Sequence, residues 1–157
     1  CALPVEELLQ KLEPTFHIEE TWIRGEEDSQ VDDHKETQFL LIPGGHRQEQ
    51  GWKALRLKPK AGLPTAATSR ADLDIAQLHD AILGEAMGIH QPEEIRFKRS
   101  MEEVFTLLDE GAWGAFLVRP TPVEHVLTVA GQGERLPQKT TYFYPKVPTG
   151  LVLRLIQ

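Results

Sequence analysis

Apolar residues recur at helical spacing in four parts of the chain. Three segments carry apolar side chains at positions i, i+3, i+4 and i+7, which lie on one face of an α-helix. They are Val5-Leu8-Leu9-Leu12, Met101-Val104-Phe105-Leu108 and Val123-Val126-Leu127-Ala130. A fourth helix is predicted over residues 74–87 and ends at Gly88, a residue typical of helix C-termini. Its apolar positions are Ile75, Leu78, Ile82 and Ala86. The pattern predicts four amphipathic helices, each with one buried stripe.

Polar residues and a proline mark where these helices begin. Two capping boxes are predicted, Ser100 with Glu103 and Thr121 with Glu124. Pro122 is expected at the first helical position, where its missing N–H costs no hydrogen bond. Asp72 and Asp74 precede the residue 74–87 helix pattern or open it, so both are interpreted as helix caps.

Extended segments alternate with these helices. Residues 16–23, 37–42 and 52–58 follow one another, with the turn Pro43-Gly44-Gly45 between the last two, which predicts an antiparallel meander. Residues 95–98, 114–118 and 151–156 alternate with helices instead, and 114–118 is apolar on both faces, as in a central strand. The expected fold is one α+β domain over residues 1–157, with a mixed sheet and helices covering one face.

Composition narrows the range of partners. The 157 residues are 40% hydrophobic and 26% charged, with a net charge of −7, which disfavours nucleic acid and favours small molecules or proteins. Cys1 is the only cysteine, so neither an internal disulfide nor a thiolate metal cluster can form. No apolar stretch is long enough to span a membrane, and we expect a cytoplasmic protein. The chain lacks an initiator methionine and is interpreted as a fragment, or as a proteolysed or cloned domain.

The run LPQKTTYFYPKVPTGL, residues 136–151, is the main candidate for a binding site. Its three prolines exclude a helix and favour short extended pieces. Lys139, Thr140, Thr141 and Lys146 form the predicted anion or phosphate site. Residues 133–140 depart from a true P-loop, because Gln138 replaces the second glycine. The alternative is a surface loop that residues 142–144, Tyr-Phe-Tyr, pin to the core.

Other chemistries have weaker support. The six histidines show no metal-ligand spacing, and no metal site is predicted; His79 is interpreted as a structural residue beside an apolar stripe. The acidic stretch 19–33 lacks the alternation of a calcium loop and is interpreted as a solvated hairpin loop. A short basic strand either extends an anion site or protects a sheet edge against association. Its residues are Lys53, Arg56, Lys58 and Lys60.

The C-terminal pattern resembles a known family. LPQKTTYFYPKVPTGLVLRLI, residues 136–156, is similar to the terminal signature of the bacterial family catalogued as domain of unknown function 1015. LDIAQLHDAILGEAMGI at 73–89 and AFLVRPTPVEHV at 115–126 resemble further segments of that family. The resemblance covers most of the chain after about residue 73, and more loosely its start.

The resemblance implies that this chain is the C-terminal part of a longer protein, and it implies a function for that protein. Members of that family carry an Asp-Gly-His-His-Arg motif in their first half, which this chain lacks. That half is similar to the ParB and sulfiredoxin group, whose members bind nucleotides and include kinases acting on free serine. The intact protein is then expected to be a phosphotransferase using ATP or ADP, with the missing N-terminal domain as partner, while this fragment alone is inactive and holds no cofactor. The alternative is a non-catalytic structural or dimerisation platform.

Overall fold

The structure is a computed structural model that describes residues 3–25, 27–29, 38–62, 69–90, 95–137 and 140. Its helices are α1 (Val5–Leu12), α2 (Asp74–Gln77), α3 (Met101–Asp109) and α4 (Val123–Gly131). Helix α2 continues directly into a π-helix, Leu78–Ala86, and short 3₁₀ turns occupy Glu27–Ser29 and Arg70–Asp72. After the π-helix the chain turns at Gly88, whose φ of 71° favours glycine, as the sequence predicted.

Five strands in the described ranges form one sheet. They are β1 (Phe16–Ile23), β2 (Phe39–Pro43), β3 (Arg47–Gln48), β4 (Gly51–Pro59) and β5 (Gly114–Val118). The order is β1-β4-β2-β5, with β3 paired to one end of β4, and every described pairing is antiparallel. Four helices and this sheet make an α+β fold, which confirms the predicted class.

The strand order differs from the predicted meander. Strand β4 lies between β1 and β2, so the chain passes from β1 to β2 without pairing them. The interpretation of the basic strand as a protected sheet edge was therefore wrong, because those lysines and Arg56 belong to an interior strand or directly follow it. Strand β2 is also interior, and all five of its residues are buried, whereas β5 is the terminal strand of the described order.

Helices cover both faces of the sheet, not one. On one face, Phe39 and Leu41 of β2 share a core cluster with α1 and the π-helix. On the other face, Leu40 and Ile42 share a second cluster with α3. A strand of five consecutive apolar residues needs cover on each side, since successive side chains point to opposite faces. A third, small cluster joins Leu73 to Val129 of α4.

The predicted apolar stripes form in three helical segments but not in α4. Those of α1, α3 and the segment from α2 through the π-helix are buried or packed against core clusters. In α4, Val123 and Leu127 are each 66% exposed, and Val129, which the pattern did not include, is buried. The stripe predicted for α4 was wrong because the helix packs through a different side.

Two further sequence predictions need correction. Residues 95–98 form no strand: Arg96, Phe97 and Lys98 are all exposed and the segment borders a cleft. Thr121 does not cap α4, because the residue before the helix is Pro122, and no side chain caps there. The predicted strand 151–156 lies outside the described residues.

Candidate functional site

A cleft of about 1020 Å³ runs along β5, and we call it the β5 cleft. The π-helix, β5 and the segment 95–101 border it, and Arg119 and Thr140 also line it. Its sides therefore come from parts of the chain that lie far apart in sequence.

The charged side chains lining this cleft are mostly positive. Among the described residues they are Arg96, Lys98, Arg99, Arg119 and Glu110. The described lining thus has four cations and one carboxylate in a chain of net charge −7, although Lys98 and Arg119 also pair with Glu103 and Asp74 behind it. Such a local excess of positive charge attracts anions.

An apolar surface adjoins these charges. The rings of His79 and Phe97 stack with centroids 6.0 Å apart and an interplanar angle of 26°. Phe97 is 42% exposed, although it is a large apolar side chain. His79 belongs to the π-helix, a rare conformation that is often found at functional sites. The interpretation of His79 as a structural residue stays open, because the ring pair lies in the cleft wall.

One of the four predicted anion-binding residues lies in the described part of the chain. Lys139, Thr141 and Lys146 fall outside it, as do the aromatic residues 142–144. Thr140 lines the β5 cleft. Its hydroxyl donates to the Pro137 carbonyl at 2.7 Å, so the side chain is held in a local turn. Its single hydroxyl proton must leave that carbonyl before it can donate to a ligand.

Asp74 is not a helix cap but the centre of a polar cluster. Asp74 Oδ1 accepts from Gln38 Nε2 at 2.8 Å, and Asp74 Oδ2 accepts from Arg119 Nε at 2.7 Å. Arg119 Nη2 lies 2.6 Å from the same Oδ2. We call Gln38, Asp74, Gln77 and Arg119 the Arg119 cluster. The capping prediction failed because the carboxylate bonds these two side chains, and no side chain caps α2.

Arg119 was not among the site residues predicted from the sequence. Its position directly after β5 was the available signal, because strand ends often carry site residues. Gln38 gave a second signal, as a polar residue directly before a fully apolar strand. The interpretation of Asp72 as a cap of α2 was also wrong, because Leu73 occupies the N-cap position of that helix. Asp72 accepts the Ser69 N–H at 2.8 Å and so belongs to the capping box of the Arg70–Asp72 turn.

Two lysines of β4 form ion pairs with glutamates of β1. Lys53 contacts Glu20 at 2.6 Å, and Lys58 contacts Glu19 at 2.9 Å, across the β1–β4 pairing. The hydrogen bond from Lys58 holds the pKa of Glu19 below its ordinary value. None of these four residues is among the described lining of the β5 cleft.

No group of three or more His, Cys, Asp or Glu in the described ranges is placed to hold a metal ion. Of the helices in the same ranges, none is sufficiently long and apolar to cross a bilayer. The chain matches no protein-family model, no curated protein and no solved structure.

Proposed function

We propose that this chain binds the phosphate groups of a small molecule in the β5 cleft. In the intact protein, a bacterial cytoplasmic member of the family catalogued as domain of unknown function 1015, this domain completes a nucleotide site. The other half of that site comes from an N-terminal domain like those of the ParB and sulfiredoxin group. The reaction class is phosphoryl transfer from ATP or ADP, with a free amino acid such as serine as acceptor.

The charge of the cleft lining carries this proposal. Among the described residues, four cations and one carboxylate line the cleft in a chain whose net charge is −7. Two of the cations, Lys98 and Arg119, also pair with carboxylates, and a cluster of cations at one cleft of an acidic chain favours an anionic ligand. The Phe97 and His79 rings supply an apolar surface of the kind that a nucleobase stacks on.

The loop after Pro137 supplies further contacts in this proposal. Thr140 lines the cleft, and in this proposal Lys139, Thr141 and Lys146 complete the phosphate contacts. Lysine is suited to this role as a compact point charge that follows a phosphate without fixed geometry.

Calorimetric titration with ATP, ADP and adenosine tests the proposal. The wild-type chain is expected to bind both nucleotides and to bind adenosine much more weakly. Replacing Lys139 and Lys146 by Ala together should weaken nucleotide binding roughly tenfold to a hundredfold, since a charged hydrogen bond is worth about 1.5–3 kcal/mol.

Lys60→Ala is the matched control, because Lys60 is exposed and is not among the described residues lining the cleft. It should leave the affinity unchanged. If the double variant binds nucleotide as tightly as the wild-type chain but has a lower melting temperature, the loop has a structural role and does not bind the ligand.

The alternative function, a non-catalytic dimerisation platform, is favoured by one observation. Val123 and Leu127 lie one turn apart on α4 and are each 66% exposed. A helix face can pair with its own copy about a twofold axis. Sedimentation over a range of concentrations tests this: a dimer that Val123→Lys with Leu127→Lys dissociates supports the platform, whereas a monomer at all concentrations contradicts it.

A further inference from the structure

The Arg119 cluster joins three separate parts of the chain. Gln38 precedes β2, Asp74 opens α2, and Arg119 follows β5. Gln38 Nε2 donates to Asp74 Oδ1 at 2.8 Å and to Gln77 Oε1 at 2.6 Å, which uses both of its amide hydrogens. Gln77 Nε2 in turn donates to the Ala71 carbonyl at 3.3 Å. Hydrogen bonds therefore connect Gln38 to both Asp74 and Gln77.

Burial of this cluster needs an explanation beyond stability. The side chains of Asp74 and Arg119 are 11% and 22% exposed, and Gln38 is 1% exposed. The free energy needed to remove an ion pair from water is about as large as the electrostatic attraction between the two charges. Apolar residues of similar volume therefore often stabilise a fold at least as well. Buried pairs therefore point to a need for a fixed orientation.

The bonds to Asp74 leave one part of the guanidinium group uncommitted. Arg119 places Nε and Nη2 on a single oxygen, Asp74 Oδ2. Both contacts with Asp74 thus use Nε and Nη2, and neither uses Nη1. The same side chain lines the β5 cleft together with Thr140. Guanidinium hydrogens match the oxygens of a phosphoryl group or carboxylate in planar geometry.

The geometry points to Arg119 as the residue that recognises an oxyanion of the ligand, with Asp74 and Gln38 as positioning residues. This inference rests on the proposed function and assigns the ligand's phosphoryl group to Arg119. Asp74 holds one side of the guanidinium, so the remaining hydrogens meet the ligand with little loss of rotamer freedom. Preorganisation of this kind increases affinity by reducing the entropy lost on binding.

Arg119→Lys in the full chain tests the assignment. Lysine keeps the positive charge and a bond to Asp74 but loses the planar set of donors, so affinity for ADP should fall about tenfold or more. Arg47→Lys is the matched control, because Arg47 also pairs with an aspartate, Asp109 at 2.8 Å, and is not among the residues lining the cleft. It should leave the affinity for ADP unchanged.

Chemical modification gives a second readout that needs no variant. Phenylglyoxal modifies accessible arginines, and mass spectrometry locates the adducts. ADP should protect Arg119 but not Arg47, whereas a purely structural ion pair would react equally with and without ADP. Succinate in place of ADP separates the two oxyanion sources: protection by succinate but not by ADP would assign a carboxylate and overturn the phosphoryl assignment.

The outcomes separate this inference from the proposed function. Nucleotide binding by the wild-type chain, with equal affinity in Arg119→Lys and no protection of Arg119, overturns the role of Arg119 alone. No binding of any nucleotide by the wild-type chain overturns the proposed function and makes the Arg119 cluster a structural ion pair.

Discussion

Gln38 shows how one buried polar side chain can connect strand and helix. It is the only polar residue fully buried in the described part of the chain, at 1% exposure. Both hydrogens of its amide are used, one on Asp74 and one on Gln77. Because a buried group without partners costs more than a typical hydrogen bond returns, this side chain fixes the position of α2 relative to β2.

Replacing Gln38 by Leu should lower the free energy of unfolding by about 1–3 kcal/mol. The substitution introduces an apolar side chain of similar size and removes the donor from Asp74 Oδ1, which leaves a partly buried carboxylate with one partner fewer. Urea denaturation measures the change. Gln50→Leu makes the same chemical change at an exposed position and should alter stability by no more than about 0.5 kcal/mol. Equal effects of the two substitutions would contradict the role assigned to Gln38.

The Glu103 carboxylate should titrate below the ordinary glutamate pKa of 4.5, chiefly because Lys98 Nζ donates to it at 2.9 Å. A lowered pKa in the folded state means that the interaction stabilises the fold above pH 4.5. That stabilisation is lost as the pH falls through the folded-state pKa. An NMR pH titration of Glu103 measures the value directly.

Lys98→Met should raise the pKa of Glu103 towards its ordinary value. Lys53→Met is the control, since Lys53 pairs with Glu20 instead, and it should leave Glu103 unchanged. An unaltered titration of Glu103 in Lys98→Met would show that the ion pair is not formed in solution.

At the scale of secondary structure elements, the starts of α3 and α4 look alike in sequence and differ in the structure. Ser100 Oγ accepts the Glu103 N–H at 3.2 Å and so caps α3. Thr121 offers the same residue spacing but makes no cap, because α4 begins only at Val123. The intervening Pro122 is extended, with ψ 143°, and occupies the position where a capping side chain would stand.

Ser100→Ala should therefore cost about 1 kcal/mol of stability, the usual cost of losing a helix N-cap. Thr121→Ala is the matched comparison and should change stability by less than about 0.5 kcal/mol. Thermal or urea unfolding of both variants measures the difference. A larger loss for Thr121→Ala than for Ser100→Ala would mean that α4 starts earlier in solution and that its capping box forms.

Periodicity predicted α1 and α3 because both bury the face on which their apolar residues recur. Strands β1 and β5 had the predicted bounds for a similar reason, since turn residues flank them. The stripe of α4 could not be predicted, because which side of a helix is buried depends on its neighbours. Spacing alone placed Val123 and Leu127 inside, whereas the structure exposes them.

Gly44 joins β2 to β5 through a close backbone contact. Its N–H donates to the Trp113 carbonyl at 2.7 Å, and an added Cβ would lie 2.0 Å from the Ala112 carbonyl oxygen. Gly44→Ala must displace backbone at the start of β5 and should cost about 2 kcal/mol or more. Gly25→Ala is the control, because no atom lies within 4 Å of its added Cβ. Urea unfolding with a similar midpoint for both variants would contradict this contact.

At the scale of the whole molecule, the sheet order creates the candidate site. Strand β5 is the terminal strand of the described order, and it pairs with β2 on one side while the β5 cleft runs along it. Arg119 lies at the cleft because it follows β5 directly. Thr140, the last described residue of the chain, also lines the cleft.

An anion site was predicted from the sequence in one loop, but apart from Thr140 the described residues that line the β5 cleft were not predicted. Residue types alone selected Lys139 and its neighbours, because lysine and threonine in a proline-bounded loop are recognisable in one local segment. Arg96 and Arg119 belong to segments separated from that loop, and no local pattern brings them to one cleft. A site assembled by the fold from distant residues is visible only after the strand order is known.

We expect this chain to bind nucleotides without catalysing phosphoryl transfer. Cationic side chains line the β5 cleft, so we expect this chain to bind ADP and ATP. The sequence lacks the Asp-Gly-His-His-Arg motif that members of the family it resembles carry in their first half. We therefore expect no phosphoryl transfer to serine by this chain alone, and transfer after an N-terminal domain is joined to it. Radiolabelled phosphate transfer, measured for both proteins at equal nucleotide occupancy, checks this expectation. Turnover by the present chain alone would place the catalytic residues within these 157 positions and remove the need for a second domain.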